Sequence, residues 1–151
     1  MDDILFALET LRGIEIEGDF KIGDGERKRY KYAEGNDWEI LLLVWGKNAK
    51  TPIHDHNGSQ GWIRMVEGNL IELCFDKSRI LQRKNVLGVD TETYIDDSRG
   101  THQIINEFQS KAISLHLYSP PITNCSIYDE ISNEWKPQKL ENHSFEEVFI
   151  K

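Results

Sequence analysis

Two histidines separated by a single residue are the first feature of this 151-residue sequence that could do chemistry. His54 and His56 stand in the string TPIHDH. Side chains two residues apart in an extended segment leave the same face, so both imidazoles would face one way and Asp55 the other. A third histidine, His102, begins a predicted strand after the turn residues at 96–100. Three neutral imidazoles suit Zn, Cu, Fe or Ni, and open coordination positions suit an oxygen-activating iron. The pattern therefore predicts a metal site, with surface histidines of no ligand role as the alternative.

A second pattern lies in the string ISLHLYSPP at 113–121. Ser114, His116 and Tyr118 alternate with leucines, which predicts a strand with hydroxyl, imidazole and phenol groups along one face. Unpaired buried polar side chains cost roughly 1–3 kcal/mol each, so this face is expected to be a hydrogen-bonded network. On periodicity alone, a strand with a solvated polar face fits equally well.

The segments that must position these residues read as a β-structure. Short β-rich runs separated by turn signals predict an all-β fold closed as a jelly-roll-like barrel. Ile4, Leu5, Leu8 and Leu11 recur at helical spacing, which predicts a short N-terminal helix over about 2–12. The predicted strands are 38–45, 61–67, 69–75, 91–95, 102–108 and 112–119.

Beyond these strands we expect one domain over 1–151, with residues 131–151 forming a tail wrapped on the barrel. His143 falls in that tail and is assigned no function. The two cysteines, Cys74 and Cys125, form no metal or redox motif and are expected to be reduced thiols. A monomer or weak homo-oligomer is expected.

The charge excludes some classes of partner. A net charge of −8 without a Lys/Arg cluster on a recognisable helix argues against nucleic acid. No apolar run approaches the roughly 18–20 residues that span a bilayer, and the first residues are acidic where a secretory signal is basic. We therefore expect a cytoplasmic protein that binds neither nucleic acid nor membrane.

The histidine spacing resembles the two metal-binding motifs of the cupin superfamily. Counting from His56, Gly61 and Gly68 fall where the first motif has its acidic ligand and its closing glycine, and His102 with Asn106 matches the end of the second motif. Because glycine stands in place of the acidic ligand, the resemblance implies a metal held by three histidines and no carboxylate.

A more specific resemblance is to the cysteine dioxygenase type I family, over roughly residues 26–130. The segments that match in order and spacing are WG (45–46), IHDH (53–56), VEGNL (66–70), GTH (100–102) and SLHLYSPP (114–121). The resemblance implies a cupin barrel, a cis peptide before Pro120 and an Fe(II) cofactor. It also implies residue roles: His54, His56 and His102 bind the iron, and Ser114, His116 and Tyr118 form a catalytic relay beside it.

The sequence departs from that family at two places. Gly61 stands where animal members have a cysteine crosslinked to the tyrosine that matches Tyr118, so the chain resembles bacterial members with a free phenol. The family's substrate arginine is expected at Arg29, while Arg27 stands where many members have tyrosine; an exposed basic run without a role is the alternative. Cys125 matches a pocket cysteine of the family, with a small buried apolar role as the alternative.

The resemblance implies oxidation of L-cysteine by O₂ to cysteine sulfinate, with Arg29, Tyr118 and His116 binding the substrate. One alternative is a dioxygenase for another small thiol such as 3-mercaptopropionate. Relatives with that preference often carry glutamine at the arginine position, so Arg29 favours cysteine. A non-catalytic metal-binding or ligand-binding cupin is a second alternative. A zinc or nickel hydrolase or isomerase is a third, disfavoured because no carboxylate base is evident beside the metal.

Overall fold

The fold is all-β apart from one short helix, as the sequence predicts. In this computed structural model the described residues are 3–142. Within them the chain forms one α-helix, α1 (Asp3–Gly13), one 3₁₀ helix (Asp97–Arg99) and ten strands. The strands are β1 (Arg27–Glu34), β2 (Glu39–Trp45), β3 (Gln60–Glu67), β4 (Leu70–Phe75), β5 (Leu81–Leu87), β6 (Glu92–Ile95), β7 (Thr101–Ile105), β8 (Ala112–Ser119), β9 (Asn124–Asp129) and β10 (Glu134–Lys139).

Three sheets organise these strands. A five-stranded sheet has the order β1-β2-β8-β3-β6, a three-stranded sheet has the order β5-β4-β7, and β9 pairs with β10. Every pairing between these strands is antiparallel. Isolated bridges join His54 to His102 of β7 and to Ile127 of β9, so the loop that carries the predicted metal ligands connects two sheets.

The central strand β2 is buried on both faces, which confirms the prediction from its unbroken apolar run. Its even-numbered apolar residues pack in a cluster with Ala7 and Leu11 of α1, on one side of the five-stranded sheet. Its odd-numbered residues, from Leu41 to Trp45, pack in a second cluster with residues of β3, β4, β5 and β7. Among residues 3–142, no helix has the length and apolar character that crossing a membrane requires.

Four strands were not predicted from the sequence: β1, β5, β9 and β10. The six residues of β10 are all exposed and include Pro137, so the strand shows no alternation of polar and apolar residues. Residues 134–139, predicted as part of a tail, instead form this strand against β9. His143 lies outside the described residues, and the single-domain assignment stays a prediction.

Candidate metal centre

The three predicted metal ligands come together at one point. Nε2 of His102 lies 3.0 Å from Nε2 of His54 and 3.0 Å from Nε2 of His56. His56 and His102 are buried and His54 is half-buried. Among the described residues, these three form the one group of metal-ligand side chains close enough to share an ion.

The hydrogen bonds of the other ring nitrogens explain why a cation fits here. Nδ1 of His54 lies 2.9 Å from the carbonyl oxygen of Pro52, and Nδ1 of His102 lies 2.9 Å from a carboxylate oxygen of Glu72. Both partners can only accept, so both rings carry their proton on Nδ1 and present an Nε2 lone pair. Two lone pairs facing each other at 3.0 Å cannot hydrogen-bond, and a shared cation accounts for their approach.

The separation also indicates how such an ion would be surrounded. Two nitrogens that each lie about 2.1 Å from one ion would be about 3.0 Å apart at a right angle, and about 3.4 Å apart at a tetrahedral angle. The two separations from His102, 3.0 Å each, match the right-angle value. A metal held by three histidines would keep coordination positions for other ligands, as oxygen-activating sites require.

Burial keeps the imidazoles of His54 and His56 neutral and therefore able to bind a metal. Burial, followed by the charge of His102, lowers the pKa of His54 to about 3. The same two causes lower the pKa of His56 well below its ordinary value. Metal ligation requires the unprotonated ring, so neither residue has to lose a proton at neutral pH before binding an ion.

Backbone and side-chain hydrogen bonds hold the segment 54–58 in place. His54 and His102 exchange both backbone hydrogen bonds, at 3.0 and 3.2 Å. The Asp97 carboxylate accepts from the backbone N–H groups of His56 (2.8 Å) and Gly58 (2.7 Å). Asp55, between the two histidines, accepts from the backbone N–H of Ser126 at 2.7 Å.

Glu72 is a residue of this site that the sequence patterns did not single out. Its side chain is 2% exposed, and besides His102 it accepts hydrogen bonds from Asn85 (3.0 Å) and Thr93 (3.3 Å). Burial raises the pKa of Glu72, but the hydrogen bond and charge of His102 and the bonds from Asn85 and Thr93 outweigh it, and the net shift is downward. The signal that could have singled out Glu72 is that it is the one charged residue in the otherwise apolar strand β4.

The predicted polar face of β8 is a buried hydrogen-bonded chain rather than a solvated surface. Ser114 Oγ lies 2.7 Å from His116 Nε2, and His116 Nδ1 lies 3.2 Å from the Tyr118 hydroxyl. The indole N–H of Trp45 donates to Ser114 Oγ at 2.8 Å. Ser114 and His116 are buried, which explains why each polar atom has a partner.

The hydrogen-bonding capacities of these groups determine which of them donates and which accepts along the series from Trp45 to Tyr118. Trp45 can only donate, so the Ser114 hydroxyl hydrogen has one remaining acceptor among its described contacts, His116 Nε2. The neutral ring then carries its proton on Nδ1 and donates to the Tyr118 oxygen. The Tyr118 O–H is left to donate to a molecule in the cavity.

Burial favours the neutral imidazole of His116 and the protonated phenol of Tyr118, which are the states that this chain of hydrogen bonds requires. It lowers the pKa of His116 to about 3, with the charges of His102 and Arg29 acting in the same direction. It raises the pKa of Tyr118 to about 12. At neutral pH the imidazole is therefore uncharged and the phenol keeps its proton.

Gly61 lies beside Tyr118, its partner in the β3–β8 register. A Cβ added at residue 61 would lie 3.1 Å from Tyr118 Cε1, so a side chain here would touch the phenol ring. The glycine leaves the ring uncrowded. The Ser119–Pro120 peptide that follows is cis, as the resemblance implied.

Arg29 lies at the wall of the same cavity. Its guanidinium donates to the carbonyl oxygen of Ile122 (3.2 Å) and to Asn142 (2.9 Å), and it lies 3.7 Å from a carboxylate oxygen of Glu39. Glu39 is itself buried and accepts from the backbone N–H of Ile122. Glu39, which the sequence patterns also missed, therefore helps to orient Arg29.

These groups surround one cavity of about 740 Å³. Ser114 and Glu39 do not line it, but each contacts a residue that does: Ser114 contacts His116 and Glu39 lies 3.7 Å from Arg29. Of the residues predicted from sequence, the following line it: Arg27, Arg29, His54, His56, His102, His116, Tyr118 and Cys125.

Known proteins resemble the chain in both sequence and fold. Residues 18–131 match the family described as "Cysteine dioxygenase type I". Cysteine dioxygenase type 1 from Homo sapiens is 33% identical over 129 residues, which cover 77% of this chain and 64% of that protein. The enzyme of the same name from Danio rerio is 35% identical over 126 residues, covering 74% and 63%. The chain thus spans slightly less than two thirds of these relatives.

A comparison of structures agrees. A cupin domain of an XRE family transcriptional regulator from Enterobacter cloacae superposes with a TM-score of 0.53 at 12% identity, covering 64% of this chain and 98% of that domain. At this low identity the likeness concerns the fold alone. It confirms the cupin barrel that the histidine spacing implied.

Proposed function

Because the chain belongs to the cysteine dioxygenase type I family, we propose that it is a non-haem Fe(II) dioxygenase that oxidises L-cysteine with O₂ to cysteine sulfinate. The observation that carries the proposal is the group of three Nε2 atoms in one cavity with Tyr118 and Arg29, which no carboxylate of residues 3–142 joins. A hydrolase would need a general base beside the metal, and Glu72 is already engaged by His102.

His54, His56 and His102 are the residues that would hold the iron. When bound, Fe(II) supplies a redox centre at which O₂ and a thiolate can react, and its charge favours loss of the thiol proton. The sulfur gives up four electrons and both oxygen atoms of O₂ end on it. The reaction therefore balances without a flavin, a nicotinamide or an oxoacid.

The residues of the cavity would orient the substrate. Arg29 offers a planar fork of donors that matches a carboxylate, and Glu39 holds that fork from behind. Tyr118 donates its hydroxyl hydrogen to an oxygen atom of the substrate or of O₂, which stabilises negative charge as it develops. Ser114 and His116 keep that hydroxyl in the donor state by fixing the imidazole tautomer.

Oxygen consumption by the iron-loaded protein tests the activity. We expect O₂ uptake with L-cysteine and a product whose mass equals cysteine plus two oxygen atoms. His102→Ala should lose both bound iron and turnover, because one of three ligands is removed. His143→Ala, at a histidine to which the sequence gives no role, is the control and should keep both. Stoichiometric iron with full turnover in His102→Ala would contradict the assignment.

The role of Arg29 is tested by Arg29→Gln. A hydrogen bond to a charged group contributes about 1.5–3 kcal/mol, so the cysteine KM should rise by roughly 10- to 100-fold. Arg83→Gln removes one positive charge from the exposed part of β5 and should leave KM unchanged. An unchanged cysteine KM in Arg29→Gln would mean that another residue binds the carboxylate. A parent kcat/KM higher for 3-mercaptopropionate than for cysteine would assign the activity to that thiol.

A further inference from the structure

The wall of the cavity carries more positive charge than one carboxylate requires. The whole chain has a net charge of −8, yet the described residues that line this cavity include five cationic side chains and two acidic ones. The cationic residues are Arg27, Lys28, Arg29, Lys50 and Lys139, and the acidic ones are Asp55 and Glu141. An excess of positive charge inside an acidic protein indicates an anionic ligand.

Arg27 is one of the lining cations that have no role in the proposed reaction, and its side chain lies beside that of Arg29. It stands two residues before Arg29 on β1, so the two side chains leave the same face of the strand. It is paired in register with Trp45, and its guanidinium carbon lies 5.9 Å from the centre of the Trp45 ring. Trp45 is fully buried and is anchored by its bond to Ser114, so it gives this guanidinium a fixed surface to lie against.

The two arginines differ in their electrostatic surroundings. Arg29 has the Glu39 carboxylate within 3.7 Å. Among residues 3–142, no carboxylate forms a hydrogen bond or ion pair with Arg27. Partial burial lowers the pKa of Arg27, against a smaller opposite effect of Cys125, because removal from water disfavours the charged form. A guanidinium in this situation is stabilised when a ligand brings the missing anion.

We propose that the cavity takes a small thiol with two carboxylates, one bound by Arg29 and the second by Arg27. The inference rests on the proposed function, since it assumes that a thiol binds beside the three histidines. Alternate residues of a strand are about 6.7 Å apart, a span that two carboxylates of a short dicarboxylate can bridge. The volume of about 740 Å³ lies within the range of roughly 300–1,000 Å³ typical of much larger ligands than cysteine, so a second carboxylate fits.

Two commercial thiols isolate the second carboxylate. Mercaptosuccinate is 3-mercaptopropionate with one more carboxylate, on the carbon that carries sulfur. Binding of each thiol to the iron-loaded protein is measured by calorimetry without O₂, so that no turnover occurs. We expect the parent to bind mercaptosuccinate at least about tenfold more tightly than 3-mercaptopropionate, as one charge-assisted hydrogen-bonded pair would give.

Variants then assign that preference to Arg27. Arg27→Gln should reduce the preference to below about threefold, and Arg27→Lys, which keeps the charge but loses the planar fork, should give an intermediate value. Lys84→Gln removes one positive charge from an exposed position of β5 and should keep the full preference. Equal affinities for the two thiols in the parent, or a full preference in both Arg27 variants, would overturn the inference.

The same protein separates this inference from the proposed function. Admission of O₂ to each complex shows whether a sulfinate forms. A tenfold binding preference without O₂ consumption for any thiol would support the dicarboxylate site and contradict the dioxygenase. Turnover of cysteine and 3-mercaptopropionate with no binding preference for mercaptosuccinate would support the dioxygenase and contradict the dicarboxylate site.

Discussion

At the scale of single residues, the candidate metal centre has a buried negative charge next to it. The Glu72 carboxylate does not reach the centre itself but is hydrogen-bonded to the far ring nitrogen of His102, and it would balance the positive charge of a bound ion. Gly61 cannot supply the acidic ligand found in other cupins, but Glu72 accepts the Nδ1–H of His102 at 2.9 Å. Asn85 and Thr93 hold that carboxylate from its other oxygen, at 3.0 and 3.3 Å. Such an anion fixes the tautomer of the His102 ring and makes its Nε2 a stronger ligand for a metal ion.

Glu72→Gln tests that balance without changing the size of the side chain. Loss of the negative charge should weaken metal binding by about 10- to 100-fold, because the His102 ring becomes less basic and less firmly oriented. Competition with a metal chelator, followed on the purified protein, measures the change in affinity. The matched control is Glu67→Gln, at an exposed carboxylate at the end of β3, which should bind metal like the parent. Equal affinities for all three proteins would show that Glu72 does not act on the metal.

At the scale of elements, two of the three candidate metal ligands, His54 and His56, lie on a loop, whereas His102 lies in strand β7. Residues 54 and 56 lie between β2 and β3, and the 3₁₀ helix after β6 reaches this loop through Asp97. Asp97 accepts from the backbone N–H groups of His56 and Gly58, so it fixes the backbone position from which the His56 side chain projects. Nδ1 of His56 is buried and has no hydrogen bond among the described residues, and the nearest carboxylate, Asp97, lies 3.8 Å away.

Asp97→Ala should therefore loosen the loop and lower metal affinity, since two backbone donors lose their acceptor. We expect a decrease of about tenfold in affinity and a loss of about 1–3 kcal/mol in the free energy of unfolding of the metal-free protein. Chelator competition and urea unfolding measure the two effects. Glu107→Ala, at an exposed position after β7, is the control and should change neither. Unchanged metal affinity in Asp97→Ala would mean that the strand contacts of His54 suffice to hold the loop.

The elements that could be predicted from sequence are those whose buried residues produce a recognisable order of polar and apolar residues along the chain. Strands β2 and β8 were found because β2 is apolar from Ile40 to Trp45 and β8 alternates polar and apolar residues. Strand β5 has few buried residues and β10 has none, so side-chain patterns could not reveal them. For the same reason the histidine group and the polar face of β8 were predictable from spacing, whereas the contacts of Glu72 and Glu39 were not. Their importance comes from contacts between strands distant in sequence, which only the tertiary structure supplies.

At the scale of the whole molecule, the paired strands β2 and β8 separate an apolar core on one face from the polar cavity on the other. One face of β2 and β8 packs on α1 in a wholly apolar cluster that contains Leu42 and Leu115. The opposite face carries Trp45, Ser114 and His116 towards the cavity. The apolar face stabilises the sheet, and the sheet in turn positions neutral buried histidines at the other face. Stability and chemistry are therefore linked through the protonation of those histidines.

That link predicts how stability depends on pH. The folded protein holds the pKa of His54 and of His116 at about 3, whereas an unfolded histidine has a pKa of about 6.5. Between these values the unfolded chain binds protons that the folded chain does not, so the free energy of unfolding falls as the pH drops below about 6.5. Each such histidine contributes up to about 1.4 kcal/mol per pH unit. Urea unfolding of the metal-free protein between pH 6 and 5 should show a slope smaller by about 1 kcal/mol per unit in His116→Gln than in the parent. Identical slopes would mean that His116 is protonated in the folded protein, and the donor state assigned to Tyr118 would then be wrong.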